Sequence, residues 1–421
     1  MTGIRFIPAL VGILILLLLA KNILFRTLRY YHLKHIPGPA TTGWSRLWLL
    51  RQAVSGKSHF AFFEANKQYG PIAKVGPYHV ITSDPGLIRR INAARSPYTR
   101  GEWWHNALRF HPDKDNLCTL GPAEHTARRA KMAPGYSGRD IGYHGVEAAV
   151  DRTVLSLVRL IESRYIADNK PFDFGRKAQY FTLDVIADLA YGEPFGFVSR
   201  DEDMFGYLAV TEEMFAMFLS VTIYPWVYDV LASRWFKFLL PSERDRTGFG
   251  RFMAIAKEKA AERFGPDRKI QSDMLGSFVR HGLTQVEAEA EILLQIIAGS
   301  DSTSTAIRAI VLLVITTPRV YTRLLAEIVA ATASLERWLD AGPAGLKAME
   351  ATMALTFGYG KSQCLGKEVA LMELNKVFVE LLRRFELSVV DPTNPWESAC
   401  ANIFLVKNFW IKAQNRTHTR E

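Results

Sequence analysis

The chain has 421 residues, 48% hydrophobic and 22% charged, enough apolar material for one large domain or two to three ordinary ones. That balance excludes a disordered, collagen-like or disulfide-scaffold protein, and the cysteines (Cys118, Cys364 and Cys400) are too few and too scattered for a disulfide framework or a zinc cluster, so a reducing compartment is the simplest reading. Lysine and arginine number 52 against 42 aspartates and glutamates, a formal charge of +10 that suits an acidic partner or an anionic membrane surface; with no nucleic-acid-binding motif beside it, nucleic acid is not an expected partner.

From Phe6 to Ala20 the chain carries no charge, and Ile23-Leu24-Phe25 extends the run past Lys21 and Asn22. A membrane span needs about 20 apolar residues, so Ile4 to Phe25 suffices if Lys21 snorkels to the interface. The competing reading is a cleaved signal peptide, but no small-x-small cleavage site follows the run. Arg26, Arg29 and Lys34 come after it and Arg5 alone before it, which puts everything that follows in the cytosol. Ile36-Pro37-Gly38-Pro39 is stiff and unable to continue a helix, so it reads as a hinge between a 1–35 anchor and a 36–421 body.

The body opens with a small β unit. Ile72 to Val75, a Gly76-Pro77 turn and Tyr78 to Thr82 read as a hairpin, after which Asp84-Pro85 caps a helix. From about Thr126 to Arg323 apolar residues recur at three- and four-residue spacing, as in Asp184 to Tyr191 ending at Gly192, and predict a helical body. Leu387 to Val390, Ile403 to Val406 and Phe409 to Lys412 return to extended character. The fold class expected is mainly α with a minor β-sheet.

Two segments carry chemistry. Thr284-Gln285-Val286-Glu287 has the capping-box pattern, and nothing obliges a stop before Pro318, which predicts a helix of about 32 residues, roughly 48 Å long. Its centre, Ala298-Gly299-Ser300-Asp301-Ser302-Thr303-Ser304-Thr305, is polar between apolar flanks and weakens the helix. Either the hydroxyls bond back to the preceding turn at a kink, or the centre is a groove that faces a ligand and passes it protons. The second segment is Phe357-Gly358-Tyr359-Gly360-Lys361-Ser362-Gln363-Cys364-Leu365-Gly366. It precedes an amphipathic helix with Leu371, Leu374, Phe378, Leu381 and Phe385 on one face, so Cys364 sits at a helix N-terminus, a setting that favours thiolate. The alternative for Cys364 is a small buried hydrophobe, the reading given to Cys118 and Cys400.

The ten residues Phe357 to Gly366 match Phe-x-x-Gly-x-x-x-Cys-x-Gly, and the chain resembles the cytochrome P-450 superfamily of heme-thiolate monooxygenases. Ala298-Gly299-Ser300-Asp301-Ser302-Thr303 is similar to that family's oxygen-binding helix. His125-Thr126-Ala127-Arg128-Arg129 is similar to its segment that contacts a heme propionate, although a solvated helical arginine is the other reading of Arg129. The wording of the cysteine loop and its helix most resembles fungal pisatin-demethylase-type members. The resemblance covers about residues 36 to 412 and implies the cytochrome P-450 fold with an N-terminal transmembrane helix.

It also implies a site. Cys364 would be the axial ligand of heme iron, with Phe357, Gly360, Gly366, His125, Arg129, Ala298 and Gly299 binding the cofactor. In this family the thiolate pushes electron density that favours O–O cleavage. Asp301 with Ser302 or Thr303 would relay protons. The implied reaction puts one oxygen of O2 into a hydrophobic small molecule, in fungal secondary metabolism or detoxification, and reduces the other to water. The implied partners are membrane lipid and a membrane-bound NADPH-dependent reductase docking near Lys361 and Lys367; the implied location is the endoplasmic reticulum membrane, single-pass, with the body in the cytosol.

Three departures from the pattern stand out. Ser302 occupies the usual threonine position, and Ser362 stands where many members carry Arg or His. Between the oxygen helix and the cysteine loop, Leu324-Leu325-Ala326-Glu327-Ile328 leads almost directly to Ser334-Leu335-Glu336-Arg337-Trp338. The family's Glu-x-x-Arg helix and its strands are missing near 331–335, so the expected fold is internally truncated. A catalytically inactive, membrane-tethered remnant that binds heme weakly or not at all is the alternative function, with Arg337 solvent-facing or re-paired.

Overall fold

The computed structural model describes residues 6–101, 104–105, 108–140, 142–213, 223–330, 351–400 and 404–416. The expected gap near 331–335 and Arg337 lie outside the described residues.

The chain divides into two units, one running to Ile91 and taking in Cys400, the other from Asn92 onward. The first begins with α1 (Phe6–Leu33), 28 residues long, and continues through α2 (Leu47–Val54) and α3 (Ser58–Tyr69). β1 (Ile72–Gly76) and β2 (His79–Thr82) form the expected antiparallel hairpin, with Ile72 opposite Thr82 and a register shift between Lys74 and Gly76. Asp84 then caps α4 (Pro85–Asn92), its carboxylate accepting the Gly86 N–H at 2.7 Å. The 36–39 hinge is not where the units divide. Lys74 N–H donates to Pro37 O at 2.8 Å, so the hinge lies along β1 and belongs with it.

The second unit is built from α5 (Pro122–Tyr136), α6 (Tyr143–Leu160), β3 (Phe172–Asp173), α7 (Phe174–Tyr191), α8 (Pro225–Leu231), α9 (Gly248–Ala261), α10 (Met274–Arg280), α11 (Gln285–Ile315), α12 (Pro318–Ala330), α13 (Lys367–Arg384), β4 (Phe385–Val389), β5 (Glu397–Cys400, its last residue grouping with the first unit), β6 (Phe404–Lys407) and β7 (Trp410–Asn415). β7 lies between β3 and β4 in an antiparallel sheet, with Phe385 opposite Asn415 and Phe172 opposite Ile411. The helical body and extended tail follow the sequence reading.

α7 is buried on every side except at Arg176, the mark of a helix at the centre of a large core. Its ends are set locally. Asp173 accepts the Arg176 N–H at its start, and Gly192 stops it in the left-handed region at φ 83°. Most of its polar side chains survive burial because they are answered, the Tyr191 hydroxyl being an exception without a partner among the described residues. Asp184 accepts the N–H groups of Gly196, Phe197 and Val198 at 2.8, 3.1 and 2.8 Å; Asp188 accepts Arg152 at 2.8 Å; Lys177 pairs with Asp201.

α11 spans 31 residues and packs more extensively on α7 than on any other element. Its start is the predicted capping box: Glu287 N–H donates to Thr284 Oγ1 at 3.3 Å, and Thr284 N–H to Glu287 Oε2 at 2.8 Å. Ile292, Leu293, Ile296, Ile307 and Val311 are buried to 2% exposure or less, each contributing about 1.5–3 kcal/mol. The helix is long and apolar enough to cross a membrane, yet 56% of its most apolar window is buried, which makes it a core helix.

Candidate functional site

The cysteine loop is two tight turns, Ala354–Phe357 and Gly360–Ser362, followed by the Gly366 cap of α13. Gly358 at φ 74° and Gly360 at φ 55° permit it; a Cβ at Gly358 would meet Ser362 O at 2.5 Å, and one at Gly360 would collide with Asn92 O. Cys364 N–H closes the loop on Phe357 O at 2.7 Å. Cys364 is exposed, but the protein around its sulfur raises the thiol pKa, outweighing the Gly366 N–H and the Arg129 charge that favour thiolate. The expected helix-terminal setting is present, with α13 starting at Lys367 three residues beyond Cys364. Lys361 is also spent inside the fold, donating to Ser96 O at 2.8 Å and to Tyr98 O.

Beside the loop runs α5. Its consecutive arginines part company. Arg128 is buried and bonds Glu287 at 2.8 Å and Glu291 at 2.7 Å on α11, where burial pushes Glu291 up to about 7. Arg129 is half-buried with no carboxylate partner among the described residues; burial lowers its pKa and the Cys364 sulfur works against that by favouring its charge. His125, one turn earlier, has its pKa lowered by burial and then by the charges of Arg100, Arg129 and His105. Arg100 lies 4.1 Å from the Trp104 ring centre and interacts electrostatically with the Cys118 thiol, whose pKa burial raises to about 11; His105 Nδ1 is 3.1 Å from Cys118 O. Four half-buried basic groups thus gather next to the cysteine loop. The sequence reading found His125 and Arg129 but not Arg100 and His105, whose loop has no periodicity and only an aromatic-basic wording to flag it. Cys118 is part of this cluster, while Cys400 is buried elsewhere.

The centre of α11 stays helical rather than kinked. Ala298 and Ser302 are exposed on one face, one turn apart, with Ser302 Oγ donating to Ala298 O at 2.8 Å. Thr303 is buried, so Ser302 is the hydroxyl on the open face. Asp301 points instead toward α7, accepting Gln179 Nε2 at 2.5 Å, and shares no hydrogen bond with the cysteine loop among the described residues. Gly299, expected at the cofactor, faces α7: a Cβ there would lie 3.0 Å from Ile186 Cγ1 and 3.1 Å from its Cδ1. Its bare backbone is used for close helix packing.

A family model described as Cytochrome P450 matches residues 37–334 and 334–412. The cytochrome P450 monooxygenase aba1 of Botryotinia fuckeliana is 34% identical over 468 aligned positions, covering 90% of this chain and 91% of that protein. Cytochrome P450 monooxygenase ABA1 of Pyricularia oryzae is 31% identical, covering 92% and 93%. The crystal structure of a cytochrome P450DA heme domain shares the fold at a TM-score of 0.71 with 15% identity, over 91% of this chain and 98% of that one.

Gly299→Ala separates packing from ligand approach. Alanine favours a helix interior by about 1 kcal/mol, but overpacking against Ile186 costs about 1–3 kcal/mol. Chemical denaturation should show a net loss that Ile186→Ala, which removes both Cγ1 and Cδ1, offsets in the double-mutant cycle with a coupling of about 1 kcal/mol. Stabilisation by Gly299→Ala without coupling to Ile186 contradicts the assignment.

Proposed function

This chain belongs to the cytochrome P450 family, and from that premise we propose that it is a membrane-tethered heme-thiolate monooxygenase delivering one oxygen atom of O2 to a hydrophobic small molecule of fungal secondary metabolism. The observation that carries this reading is the cluster of Arg100, His105, His125 and Arg129 next to Cys364, with no carboxylate among the described residues to answer it. That donor set fits heme, which offers carboxylates to cations and takes a soft sulfur ligand at its iron. Heme bound there supplies the activation of dioxygen.

The remaining work belongs to side chains of this chain. Arg129 would hold the cofactor's carboxylates by charge-assisted bonds, with His125, whose pKa burial lowers, as a neighbouring N–H donor. Cys364, raised in pKa without a metal, needs a cationic partner to remain thiolate. Ser302 presents a hydroxyl on the open face of α11, and Asp301, raised by burial to about 6, gives up and regains a proton near neutral pH. Ala298 beside Ser302 keeps that face small and apolar, which suits a hydrophobic substrate. A membrane-bound NADPH-dependent reductase supplies electrons, and Lys367 is a better docking cation than Lys361, whose ammonium is already engaged.

Two apolar surfaces support the tether. α1, about 42 Å long at 1.5 Å per residue, exposes Leu16, Leu17, Ile23, Leu24 and Leu28. In the other unit Trp226, Trp235, Phe238 and Leu239 are exposed, with Arg234 stacked 4.7 Å from the Trp235 ring centre, a composition found at membrane–water interfaces. The flanking Arg26, Arg29 and Lys34 favour a single pass of the endoplasmic reticulum membrane with the body in the cytosol.

A second reading rests on a separate observation. The two family matches meet at residue 334, and 90% of 421 residues, about 379, fills 468 aligned positions of one relative. Both support an absent interior segment, which would leave the heme loosely held and the chain a weakly active remnant.

Carbon monoxide added to the reduced protein should give the strongly red-shifted Soret band of thiolate ligation, lost in Cys364→Ala and kept in Cys118→Ala. Loss in Cys118→Ala alone overturns the assignment. A band well below one heme per chain, restored by inserting a relative's segment at residue 334, favours the second reading. In sealed microsomes external protease should digest the body; full protection contradicts the topology.

A further inference from the structure

Glu291, near the start of α11, is buried to 0% exposure and lies well before both the polar centre of that helix and the face of Ala298 and Ser302. Its Oε1 accepts Arg128 Nη1 at 2.7 Å, while Arg128 Nη2 donates to Glu287 Oε1 at 2.8 Å. The Leu117 N–H lies close enough to the Glu291 carboxylate to favour its charged form, and Oε2 accepts no full hydrogen bond among the described residues. A buried ion pair gives little net stability over apolar side chains of the same size, and Ile292 and Leu293 beside it are fully apolar and equally buried. What the pair adds is direction.

Both groups that Glu291 holds lead into the basic cluster. Arg128 precedes Arg129, and successive side chains on a helix stand about 100° apart, so a guanidinium fixed on α11 also fixes where the next one points. Lys131 Nζ bonds Gly282 O at 2.8 Å, and Gly135 is bare where a Cβ would meet Phe278 Cε1 at 3.0 Å. With Arg128 these lie at spacings of three and four residues on one side of α5 and keep it from rolling. Leu117 precedes Cys118, whose carbonyl is 3.1 Å from His105 Nδ1 and whose thiol senses the Arg100 charge. Asn116 tightens that turn, donating to Leu108 O at 2.7 Å and accepting the Cys118 N–H at 2.9 Å. Tyr136, at the end of α5, is buried and senses Glu291, Cys364 and Cys118, and a Cβ on Gly366 would lie 3.9 Å from its ring.

Resting on the heme reading of that cluster, we infer that Glu291 is the positioning residue of the heme seat: through Arg128 and Leu117 it holds α5 and the 100–118 loop at one spacing, so that Arg100, His105, His125 and Arg129 converge. Such a hold is needed because like charges repel; Arg100, Arg129 and His105 all work against a proton on His125. Glu287 cannot do the same work. It is 26% exposed and bonds Arg128 and the Thr284 cap, neither of them in the loop.

The test loads the full chain with hemin and follows two signals, the rate at which excess apomyoglobin strips the heme and the propionate bending band in the resonance Raman spectrum. Urea unfolding is measured alongside. Glu291→Leu should speed heme loss about tenfold or more and shift the propionate band, the scale seen when a group that orients a cofactor ligand is removed. Glu291→Gln keeps an acceptor oxygen for Arg128 and the Leu117 N–H and should recover most of the parental rate and band. Glu287→Gln should stay within about threefold of the parent, the scale of a partly exposed ion pair. Arg128→Lys, which lacks the fork that bridges both carboxylates, should shift both signals in the direction of Glu291→Leu and serves if that variant does not fold. Parental heme loss and band in Glu291→Leu, or in Arg128→Lys where it stands in, with only the urea midpoint lowered, overturn the inference and leave Glu291 a brace between helices. A Glu291→Gln protein no better than Glu291→Leu overturns it as well. A parent that takes up no hemin at a single site sinks the heme reading and the seat with it.

Discussion

A long apolar helix with charged and hydroxylic residues at its middle is stable only if another element answers them, and the contact between α7 and α11 is that answer. The flanks of α11 drive it into the core, where an unmet polar group costs about 1–3 kcal/mol and an unmet charge more. α7 comes close because Gly299 offers no side chain to Ile186, and Thr182 then reaches Ser300 O at 3.0 Å. At that separation Gln179 spans from Asp301 to Arg308, and Gly175 lends its carbonyl to the guanidinium. The rest of α7 is enclosed for the same reason: a helix that carries so much of its neighbour's polarity has no side left for water.

The same division of labour separates structure from chemistry along other elements. On α5 the Arg128 guanidinium is consumed by Glu287 and Glu291, which ties α5 to α11, and Arg129 is left over. On α11 the stripe through Asp301 and Arg308 holds the helices together, while Ala298 and Ser302 remain exposed. In the loop before α13, Lys361 anchors the backbone of residues 96–98 and Cys364 stays accessible. Each candidate functional group is the neighbour of a residue already committed to the fold.

That pattern explains what the sequence revealed. The capping box at Thr284, the Gly192 stop, the hairpin at Gly76 and the tail strands rest on local rules, so the chain itself displays them. The cysteine loop is legible because its glycines and its cysteine occur within ten residues. The wording at Gly299 suits a ligand approach as well as a helix contact, and the helix contact depends on Ile186, far away in sequence. Gln179, Arg100 and His105 carry no local signal; their importance comes from partners more than ten residues distant. The Cys364 thiol shows the same dependence on distant groups, since the protein around its sulfur raises its pKa while the helix terminus belongs to a single element.

The account turns on whether the basic cluster beside Cys364 is a seat for heme. Hemin titrated into the heme-free full-length chain, followed by quenching of tryptophan fluorescence, measures this directly. The account predicts saturation at one hemin per chain, with binding weakened about tenfold or more by Arg129→Gln, since a charge-assisted bond contributes about 1.5–3 kcal/mol. Binding without saturation, or saturation indifferent to Arg129→Gln and Cys364→Ala alike, would contradict it.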